Sequence, residues 1–466
     1  MTKNNVFVNP LISWFDFAES VLDKALDNAT PVLERLWYLT DVYSHLINDF
    51  NRTKVIELRS KIKQYRQSGL YAEIKPTIQL YREIRQRIKA LNNKRSEIYS
   101  AIRDELADKK SEVAFVWAKH VPCQLKDVKN GEIYEHIKTN DVLLHFPYHS
   151  FKHVLEILNK AADDPSVQFI QATIYRLAPD SQIVKALIKA AQNGKKVSVY
   201  IELEARLDEK SNENYLHTLK ANGIKIIPKW QDGKVHAKLI LIQRKPYEDA
   251  IALISTGNWH EGTAKSYSDF CLITSYRHVT NAVDSVFDLL KRKGVYETGF
   301  NPLFLSPLNT RDKFLQLIDD EINNKRAGAE SWVIIKCNNL TDTKLAKQIL
   351  YAAECGVKIT LIIRGMCIIH PDMMEEKGIK FIRIIDRFLE HSRVFAFSNN
   401  GKPRYFISSG DWMPRNLDKR VEISVEIYVE ENKKIIQKTL DLQIKNPEKS
   451  QTNTTLYLCK NSSQVS

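Results

Sequence analysis

Two different spacings of hydrophobic residues divide the chain. Up to about residue 125, apolar positions recur every three to four residues, as they do on one face of an α-helix. The clearest stripe lies within 76–106 and consists of Tyr81, Ile84, Ile88, Leu91, Ile98 and Ile102. We expect Pro76 at the start of this helix, where its missing N–H costs least. From about residue 130, short β-branched runs alternate with helical stretches, a pattern typical of α/β structure.

The α/β region shows the same order of elements twice. A strand, a loop with Asp, a helix ending in AA-x-x-G and a second strand occupy 167–203 and again 332–363. In the same order, 223–242 matches 378–398, and STGNW (255–259) matches SSGDW (408–412). The offsets are nearly constant: 356 − 194 = 162, 391 − 236 = 155 and 408 − 255 = 153. These matches indicate two copies of one fold.

The patterns together predict the domain boundaries. We predict a helical N-terminal domain at 1–125, a first α/β domain at 126–300, a second at 301–440 and a loose polar tail at 441–466.

The duplicated unit carries a duplicated pair of chemical groups. In KVHAKLILI (234–242), His236 and Lys238 are two positions apart, and side chains at i and i+2 share one face of a strand. His391 and Arg393 occupy the matching place in the second copy, while Asn258 and Asp411 follow in the matching turns. If the copies pack face to face, two histidines and two cations converge in one cleft. Neutral imidazoles beside fixed cations suit phosphoryl transfer, so the residues predict a phosphate site.

Longer motifs give this pattern a family. The segments that carry the resemblance are DVLLHFPYHSF (141–151), IYRLAPDSQIVKALIKAAQNGKKV (174–197), ELEARLDEKSN (202–212), KVHAK (234–238), STGNWHEGTAKSYSDF (255–270), RGMC (364–367), RFLEHSRVFAF (387–397) and SSGDWMPRNLDKRVE (408–422). The chain resembles the phospholipase D superfamily and, within it, the type-1 polyphosphate kinases. The resemblance implies two tandem phospholipase D-like α/β repeats, each a mixed sheet flanked by helices, after an all-α N-terminal domain.

The resemblance also implies a reaction and roles for individual residues. The expected activity is reversible transfer of the ATP γ-phosphoryl group to inorganic polyphosphate, with Mg²⁺, through a phosphohistidine. The expected catalytic residues are His236, which is phosphorylated, His391, Lys238 and Arg393. Those expected to bind nucleotide or phosphate are Tyr267, Arg364, His391 and Asn258. Arg176 and Arg206 match the magnesium site, where a guanidinium without a lone pair would hold the phosphates that carry the metal.

The chain departs from the family pattern in three places. Only some tens of residues separate the N-terminal helices from DVLLHF, so we expect a shortened member that lacks most of the family's head domain. Leu46 stands where the family has a nucleotide-contacting asparagine, and His260 where asparagine is usual. Adenine binding and dimer assembly are the properties that these differences affect.

Composition limits the partners and the compartment. The net charge is +13, and residues 51–110 contain 16 Lys/Arg against 7 Asp/Glu, which suits a polyanionic partner such as nucleic acid, polyphosphate, nucleotide or anionic lipid. Among these, the resemblance implies ATP, ADP and inorganic polyphosphate as partners and no nucleic acid. Six cysteines without metal-binding spacing are expected to be reduced. Because there is neither a signal peptide nor an apolar run near 20 residues, we expect a cytoplasmic protein without a transmembrane segment, and a homo-oligomer is possible.

Two alternatives to an active kinase stay open. The short interval before DVLLHF fits a non-catalytic polyphosphate-binding paralogue, and the two half-sites alone would fit a phospholipase D-like phosphodiesterase. No P-loop, Rossmann fingerprint or HExxH motif is present in the sequence.

Overall fold

A computed structural model describes most of the chain. The described residues are 10–26, 71–108, 132–205, 208–231, 233–245, 250–291, 300–384 and 386–447, with positions 35, 43, 47, 61, 64, 122, 123, 125, 128, 450, 451, 454, 455, 457 and 458. The chain divides into two compact units, one formed by residues 8–120 and the other containing the described residues from 122 onward. None of the helices in these ranges is both long enough and apolar enough to cross a membrane.

The N-terminal unit is helical, as predicted. Its two long described helices, α1 (Pro10–Leu26) and α2 (Tyr71–Asp108), pack against each other. Five members of the predicted stripe, Ile84, Ile88, Leu91, Ile98 and Ile102, are buried. The predicted start of α2 is wrong, since the helix begins at Tyr71 and Pro76 lies inside it. The expected nucleotide-site change at Leu46 lies outside the described residues.

The second unit contains two successive α/β repeats. The elements of the first are α3 (Ile133–His136), β1 (Val142–Phe146), α4 (Lys152–Asp163), β2 (Val167–Ile174), α5 (Gln182–Gln192), β3 (Lys196–Ile201), α6 (Glu209–Ala221), β4 (Lys225–Ile226), β5 (Lys234–Val235), β6 (Lys238–Arg244), β7 (Ala250–Ser255), β8 (Tyr267–Thr274) and α7 (Arg277–Lys291). Those of the second are β9 (Phe304–Ser306), α8 (Thr310–Arg326), β10 (Trp332–Cys337), α9 (Thr343–Glu354), β11 (Lys358–Ile363), α10 (Pro371–Glu376), β12 (Lys380–Ile382), β13 (Leu389–Glu390), β14 (Arg393–Phe397), β15 (Arg404–Ser408), α11 (Pro414–Asp418), β16 (Arg420–Ile427) and α12 (Glu430–Lys445).

Each repeat builds one mixed sheet and lends one short strand to the other repeat. The first sheet has the order β1-β8-β7-β6-β2-β3-β4, and β13 of the second repeat pairs with β8. The second has the order β12-β11-β10-β14-β15-β16-β5, where β5 comes from the first repeat and β9 pairs with β16. The parallel pairs β2·β3 and β10·β11 are the βαβ units that the sequence repeat predicts. The exchange of β5 and β13 ties the two copies together.

One hydrophobic core is shared by both repeats. Leu239 and Val283 of the first repeat and Val394 and Val421 of the second belong to the same buried cluster, and all four side chains are fully buried. Further cores fill the remaining face of each sheet. Burying apolar side chains between the copies stabilises their packing, at about 25 cal/mol per Å² of apolar surface. The prediction of two tandem α/β repeats, each a mixed sheet flanked by helices, after a helical N-terminal region is confirmed.

The described part of the C-terminal segment is not the loose tail that its polar composition predicts. α12 extends to Lys445, and the described positions among residues 450–458 are helical. Gln451 and Thr454 are buried, and Leu458 packs with Tyr148 and Phe388. The Gln451 side chain bonds to backbone groups of Phe388 in the second repeat, and the Thr454 hydroxyl donates to the carbonyl oxygen of Ser450 within the segment.

The cysteine prediction holds only in part. Cys271, Cys337, Cys355 and Cys367 are free, as expected. Cys123 is disulfide-bonded, so the expectation that all six cysteines are reduced is wrong.

Candidate active site

The first candidate histidine lies where the chain passes from one sheet to the other. β5 pairs with β16 of the second sheet, and β6 belongs to the first sheet. Between them, the N–H groups of His236 and Ala237 both donate to the carbonyl oxygen of Val421, each at 2.9 Å. The prediction of one continuous strand over 234–242 is therefore wrong, because this carbonyl of the opposite repeat interrupts it at the histidine.

The second candidate histidine lies at the matching crossing. β13 pairs with β8 of the first sheet, and β14 belongs to the second. Here the N–H groups of His391 and Ser392 donate to the carbonyl oxygen of Ser268, at 3.1 and 2.8 Å. Each histidine is thus fixed at the boundary between the repeats by a backbone group of the other repeat.

A buried carboxylate orients each imidazole. Nδ1 of His236 lies 2.9 Å from Oε2 of Glu422, and Nδ1 of His391 lies 2.9 Å from both carboxylate oxygens of Asp269. Each acid is contributed by the opposite repeat, Glu422 by β16 and Asp269 by β8. Burial alone would raise the pKa of Glu422, but the neighbouring His236 and Lys238 hold it at about 2. The ionised carboxylates can only accept, so each Nδ1 carries the proton.

Both histidines are neutral at physiological pH. Burial lowers the pKa of His236 to about 3 and that of His391 to about 4, despite the carboxylates, which act in the opposite direction. With the proton on Nδ1, the lone pair of each ring is on Nε2. A neutral imidazole with a lone pair held in a fixed direction is a competent nucleophile towards phosphorus.

A glycine makes room for each carboxylate. A Cβ built on Gly257 would lie 2.3 Å from Oδ2 of Asp269, and one on Gly410 would lie 3.1 Å from Cβ of Glu422. These glycines belong to the matched turns STGNW and SSGDW. The duplicated small-residue turns therefore serve the close approach of the two acids.

Lys238 lies behind His236 rather than beside it. Its side chain is buried, its Nζ donates to the carbonyl oxygen of His236 and it lies 5.2 Å from the centre of the Tyr175 ring. Burial is the main reason why the pKa of Lys238 is well below its usual value.

Charged groups from both repeats also act on Lys238. Arg393 lowers its pKa further, while Glu422 acts in the opposite direction, as does Asp269, the partner of His391. Groups attached to both histidines thus act on one buried ammonium. This supports the predicted convergence of the two half-sites.

Arg393 lies against His391. Its Nη1 donates to the carbonyl oxygen of His391 at 2.8 Å, and its Nε lies 3.1 Å from Oδ1 of Asp411. Nη1 is also 3.1 Å from Nε2 and 3.3 Å from Nδ1 of the His391 ring. Two nearly equal distances place it over the face of the ring, where the positive charge disfavours imidazolium.

Two of the residues expected to bind nucleotide border His391. The ring centre of Tyr267 lies 5.3 Å from that of His391, since Tyr267 begins β8 opposite Leu389. Arg364 follows β11, its Nε donates to Oδ1 of Asn338 at 2.9 Å and its charge lowers the pKa of His391. Asn338 in turn lies 3.2 Å from the His391 carbonyl oxygen through Nδ2.

Asn258 and Asp411 occupy matching turns but differ in their contacts. Asp411 pairs with Arg393 and accepts the Asn338 N–H at 3.0 Å. Oδ1 of Asn258 is buried and has no hydrogen-bond partner among the described residues. No hydrogen bond joins Asn258 to His236 or His391 in the described part of the chain, so its phosphate-binding role stays a prediction.

The predicted magnesium site is described only in part. Nε of Arg176 lies 2.8 Å from Oδ2 of Asp208, and the ring of the adjacent Tyr175 meets that of His236 edge-on, 4.8 Å away. Arg206 lies outside the described residues. The described part of the chain contains no cluster of three or more His, Cys, Asp or Glu side chains that could hold a metal ion. The roles of Arg176 and Arg206 at a magnesium site therefore stay predictions.

The sequence contained a signal for residues that we did not single out. Asp269 and Glu422 differ by 422 − 269 = 153 positions, the offset of the STGNW and SSGDW turns. Arg420 lies at the same offset from Tyr267, and its charge lowers the pKa of His236. Extending the alignment of the repeats beyond the turns would have identified all of them.

Comparisons with known proteins place the chain in a family. Three family models match: the polyphosphate kinase N-terminal domain at residues 7–114, C-terminal domain 1 at 132–295 and C-terminal domain 2 at 303–463. The polyphosphate kinase of Yersinia pestis is 43% identical over 317 residues, which are 67% of this chain and 45% of the relative. That of Escherichia coli K12 is 39% identical over 327 residues, 70% of this chain and 47% of the relative.

A solved structure shares the fold. The crystal structure of polyphosphate kinase from Porphyromonas gingivalis matches with a TM-score of 0.80 at 23% identity, covering 99% of this chain and 100% of that one. The chain spans less than half the length of the curated relatives named above. Together, the three family models cover nearly all of the sequence. The chain belongs to the polyphosphate kinase family.

Proposed function

We propose that the chain transfers the γ-phosphoryl group of ATP reversibly to inorganic polyphosphate, with His236 as the phosphorylated intermediate. Nε2 of His236 attacks the γ-phosphorus, a P–N bond forms, and the bond from phosphorus to the ADP oxygen breaks. A terminal oxygen of polyphosphate then attacks the phosphohistidine, the P–N bond breaks, and the polymer gains one phosphate. In the reverse direction, ADP accepts the phosphoryl group.

The fixed tautomer of His236 is the observation that carries this proposal. The Nδ1 proton is held by Glu422, the ring is neutral, and its Nε2 lone pair is available to attack phosphorus. In contrast, the Arg393 guanidinium covers the face of the His391 ring and makes that imidazole a poorer nucleophile. This difference supports His236 as the acceptor and His391 as the group that contacts the transferring phosphate.

Cations around the two rings suit a substrate with several negative charges. Arg364 and Arg393 lie beside His391, the charge of Arg420 acts on His236, and the buried Lys238 lies behind His236. Fixed charges of this kind stabilise a phosphoryl transition state without having to reorganise. Mg²⁺ would enter as part of the nucleotide substrate, held by phosphate oxygens.

The test is incubation of the protein with γ-labelled ATP and Mg²⁺, followed by measurement of labelled protein and labelled polymer. We expect acid-labile, base-stable label on the wild-type protein, and polymer when short polyphosphate is added. His236→Ala should abolish both. The matched control is His217→Ala, since His217 is an exposed histidine on α6 and its loss should leave both products unchanged.

The same experiment separates the two alternatives. Polyphosphate binding without any labelled protein or polymer would identify a non-catalytic binding protein. Hydrolysis of a phosphodiester that depends on His236, again without labelled polymer, would identify a phosphodiesterase. Either result would overturn the kinase proposal.

A further inference from the structure

Gln451 holds the strand that leads to His391. The N–H group of Leu389 in β13 and that of His391, just after β13, donate to carbonyl oxygens of the first repeat. The opposite edge faces Gln451, whose Oε1 accepts the Phe388 N–H at 2.6 Å and whose Nε2 donates to the Phe388 carbonyl at 2.7 Å. One side-chain amide thus takes the place of a neighbouring strand.

A buried charge network extends this support. Nε2 of Gln451 also donates to Oε1 of Glu390 at 2.7 Å, and the other oxygen of Glu390 pairs with the buried Lys336 at 2.9 Å. Nζ of Lys336 reaches the carbonyl oxygen of Ser392 at 3.3 Å. The residues on both sides of His391 are therefore connected, through Glu390 and Lys336, to Gln451.

The first half-site has no such support from the C-terminal segment among the described residues. One edge of β5, which leads to His236, pairs with β16, and on the other edge the Val235 N–H donates to Oε2 of the buried Glu202, a residue of the same repeat, at 3.0 Å. The dependence on Gln451 is therefore a property of the second half-site.

We propose that Gln451 is a positioning residue for His391 and that the C-terminal segment is in this way a working part of the active site. The proposal rests on the phosphotransfer function proposed above, because it assigns a role to the same histidine. Removing the amide leaves the N–H and carbonyl of Phe388 buried without these partners, a state that proteins avoid by shifting the backbone. A shift at Phe388 moves His391, three residues further on, away from Asp269.

Gln451→Met tests the proposal, because it keeps the side-chain length and removes all three hydrogen bonds. We expect ATP-dependent polymer synthesis to fall about 10- to 100-fold, the usual effect of misplacing a catalytic group by about 1 Å. In a His391→Ala background, the same substitution should cause no further loss, because the histidine that it positions is absent. If Gln451→Met folds poorly, Gln451→Glu takes its place in the test. It keeps only the hydrogen-bond acceptor, and we expect the same loss of polymer synthesis.

Gln171→Met is the matched control. Gln171 is also a buried glutamine with side-chain hydrogen bonds, but it bonds to Asp284 and Gln243, away from both histidines. Its substitution should reduce thermal stability similarly and leave the rate within about twofold, a change near 0.4 kcal/mol. Equal losses from Gln451→Met with and without His391 would mean a merely structural role and would overturn the proposal.

Crystal structures separate this proposal from the proposed function. In Gln451→Met, we expect the hydrogen bond between Nδ1 of His391 and Asp269 to be broken. An unmoved His391 ring would refute the positioning role, whatever reaction the wild-type protein catalyses. If the wild-type protein forms no phosphohistidine but the ring moves, only the function proposed above fails.

Discussion

The two half-sites share a framework and differ in their lining. In both, a two-residue crossing between sheets carries the histidine, a carbonyl of the opposite repeat accepts two N–H groups, and a buried acid binds Nδ1. These features fix the direction and protonation of an imidazole, so both copies retain them. They depend on the interface between the repeats, and neither repeat could form them alone.

The positions around this framework have diverged. Glu202 and Arg364 each follow the second strand of a parallel βαβ unit, and one holds the strand before His236 while the other lies near His391. Likewise, Tyr267 and Arg420 begin the matching strands β8 and β16 and lie beside opposite histidines. The comparison teaches that the two copies supply equivalent imidazoles and that their different neighbours give each imidazole a different environment.

Removing the acid from each half-site should produce the largest effect. In Glu422→Gln the Nδ1 proton of His236 is no longer fixed, and we expect protein labelling by γ-labelled ATP to slow by about 10²- to 10⁴-fold, within the range known for a mis-set catalytic histidine. Asp269→Asn should reduce polymer synthesis through His391. The measurement is rapid quenching, with labelled protein and labelled polymer scored separately.

The two substitutions also test whether each acid acts only through the histidine that it contacts. Adding Glu422→Gln to His236→Ala, or Asp269→Asn to His391→Ala, should cost nothing further. Asp342→Asn is a suitable control, since Asp342 is a buried acid that caps α9 and pairs with Arg311, and its side chain bonds to neither histidine. If Glu422→Gln left labelling at the wild-type rate, the fixed tautomer would not be part of the mechanism.

The protonation state gives a smaller effect that should be equal in both halves. The pKa values of His236 and His391, about 3 and about 4, lie below the unfolded value near 6.5, so between these limits the unfolded chain binds more protons. Stability is therefore lost as the pH falls through this window. Each histidine should account for about 2 kcal/mol of the loss in unfolding free energy between pH 7 and pH 5.

Urea unfolding of single-histidine variants measures this effect. His236→Asn and His391→Asn should each lose about 2 kcal/mol less than the wild type when the pH is lowered from 7 to 5. The exposed His217→Asn should show the wild-type loss. If only one of the two site variants lost less unfolding free energy than the wild type, the histidine replaced in the other variant would be charged in the folded protein. The two frameworks would then not be equivalent.

The sequence predicted the repeats well because they depend on local order. Apolar spacing, helix-ending glycines and the constant offsets are all properties of short segments, and the fold confirms them. The break at His236 could not be predicted from KVHAKLILI, whose apolar run is continuous. It depends on Val421, which comes close only when both repeats have folded.

The candidate site shows the same division between local and non-local information. The histidines and their i+2 cations are apparent as motifs, but Lys238 lies behind His236 because its ammonium bonds to a carbonyl oxygen in a buried position. The C-terminal segment was misjudged for a related reason. From composition alone, a polar residue such as Gln451 is expected to be exposed. Here its side chain is buried and bonds to a backbone edge that has no neighbouring strand.

Substituting Tyr267 or Arg420, the matching residues that differ between the two half-sites, should give the smallest effect. These substitutions test the comparison most finely. If adenine stacks on Tyr267, Tyr267→Ala should raise KM for ATP about tenfold and change kcat little, since one base–aromatic contact contributes about 1–3 kcal/mol. Tyr267→Phe keeps the ring and should retain the wild-type KM. Arg420→Ala, at the matching position beside His236, should slow protein labelling with KM for ATP nearly unchanged. Steady-state and rapid-quench kinetics distinguish the effects of Tyr267→Ala and Arg420→Ala. Equal effects on KM would mean that the nucleotide contacts both half-sites and that the residues around the two histidines do not have different roles.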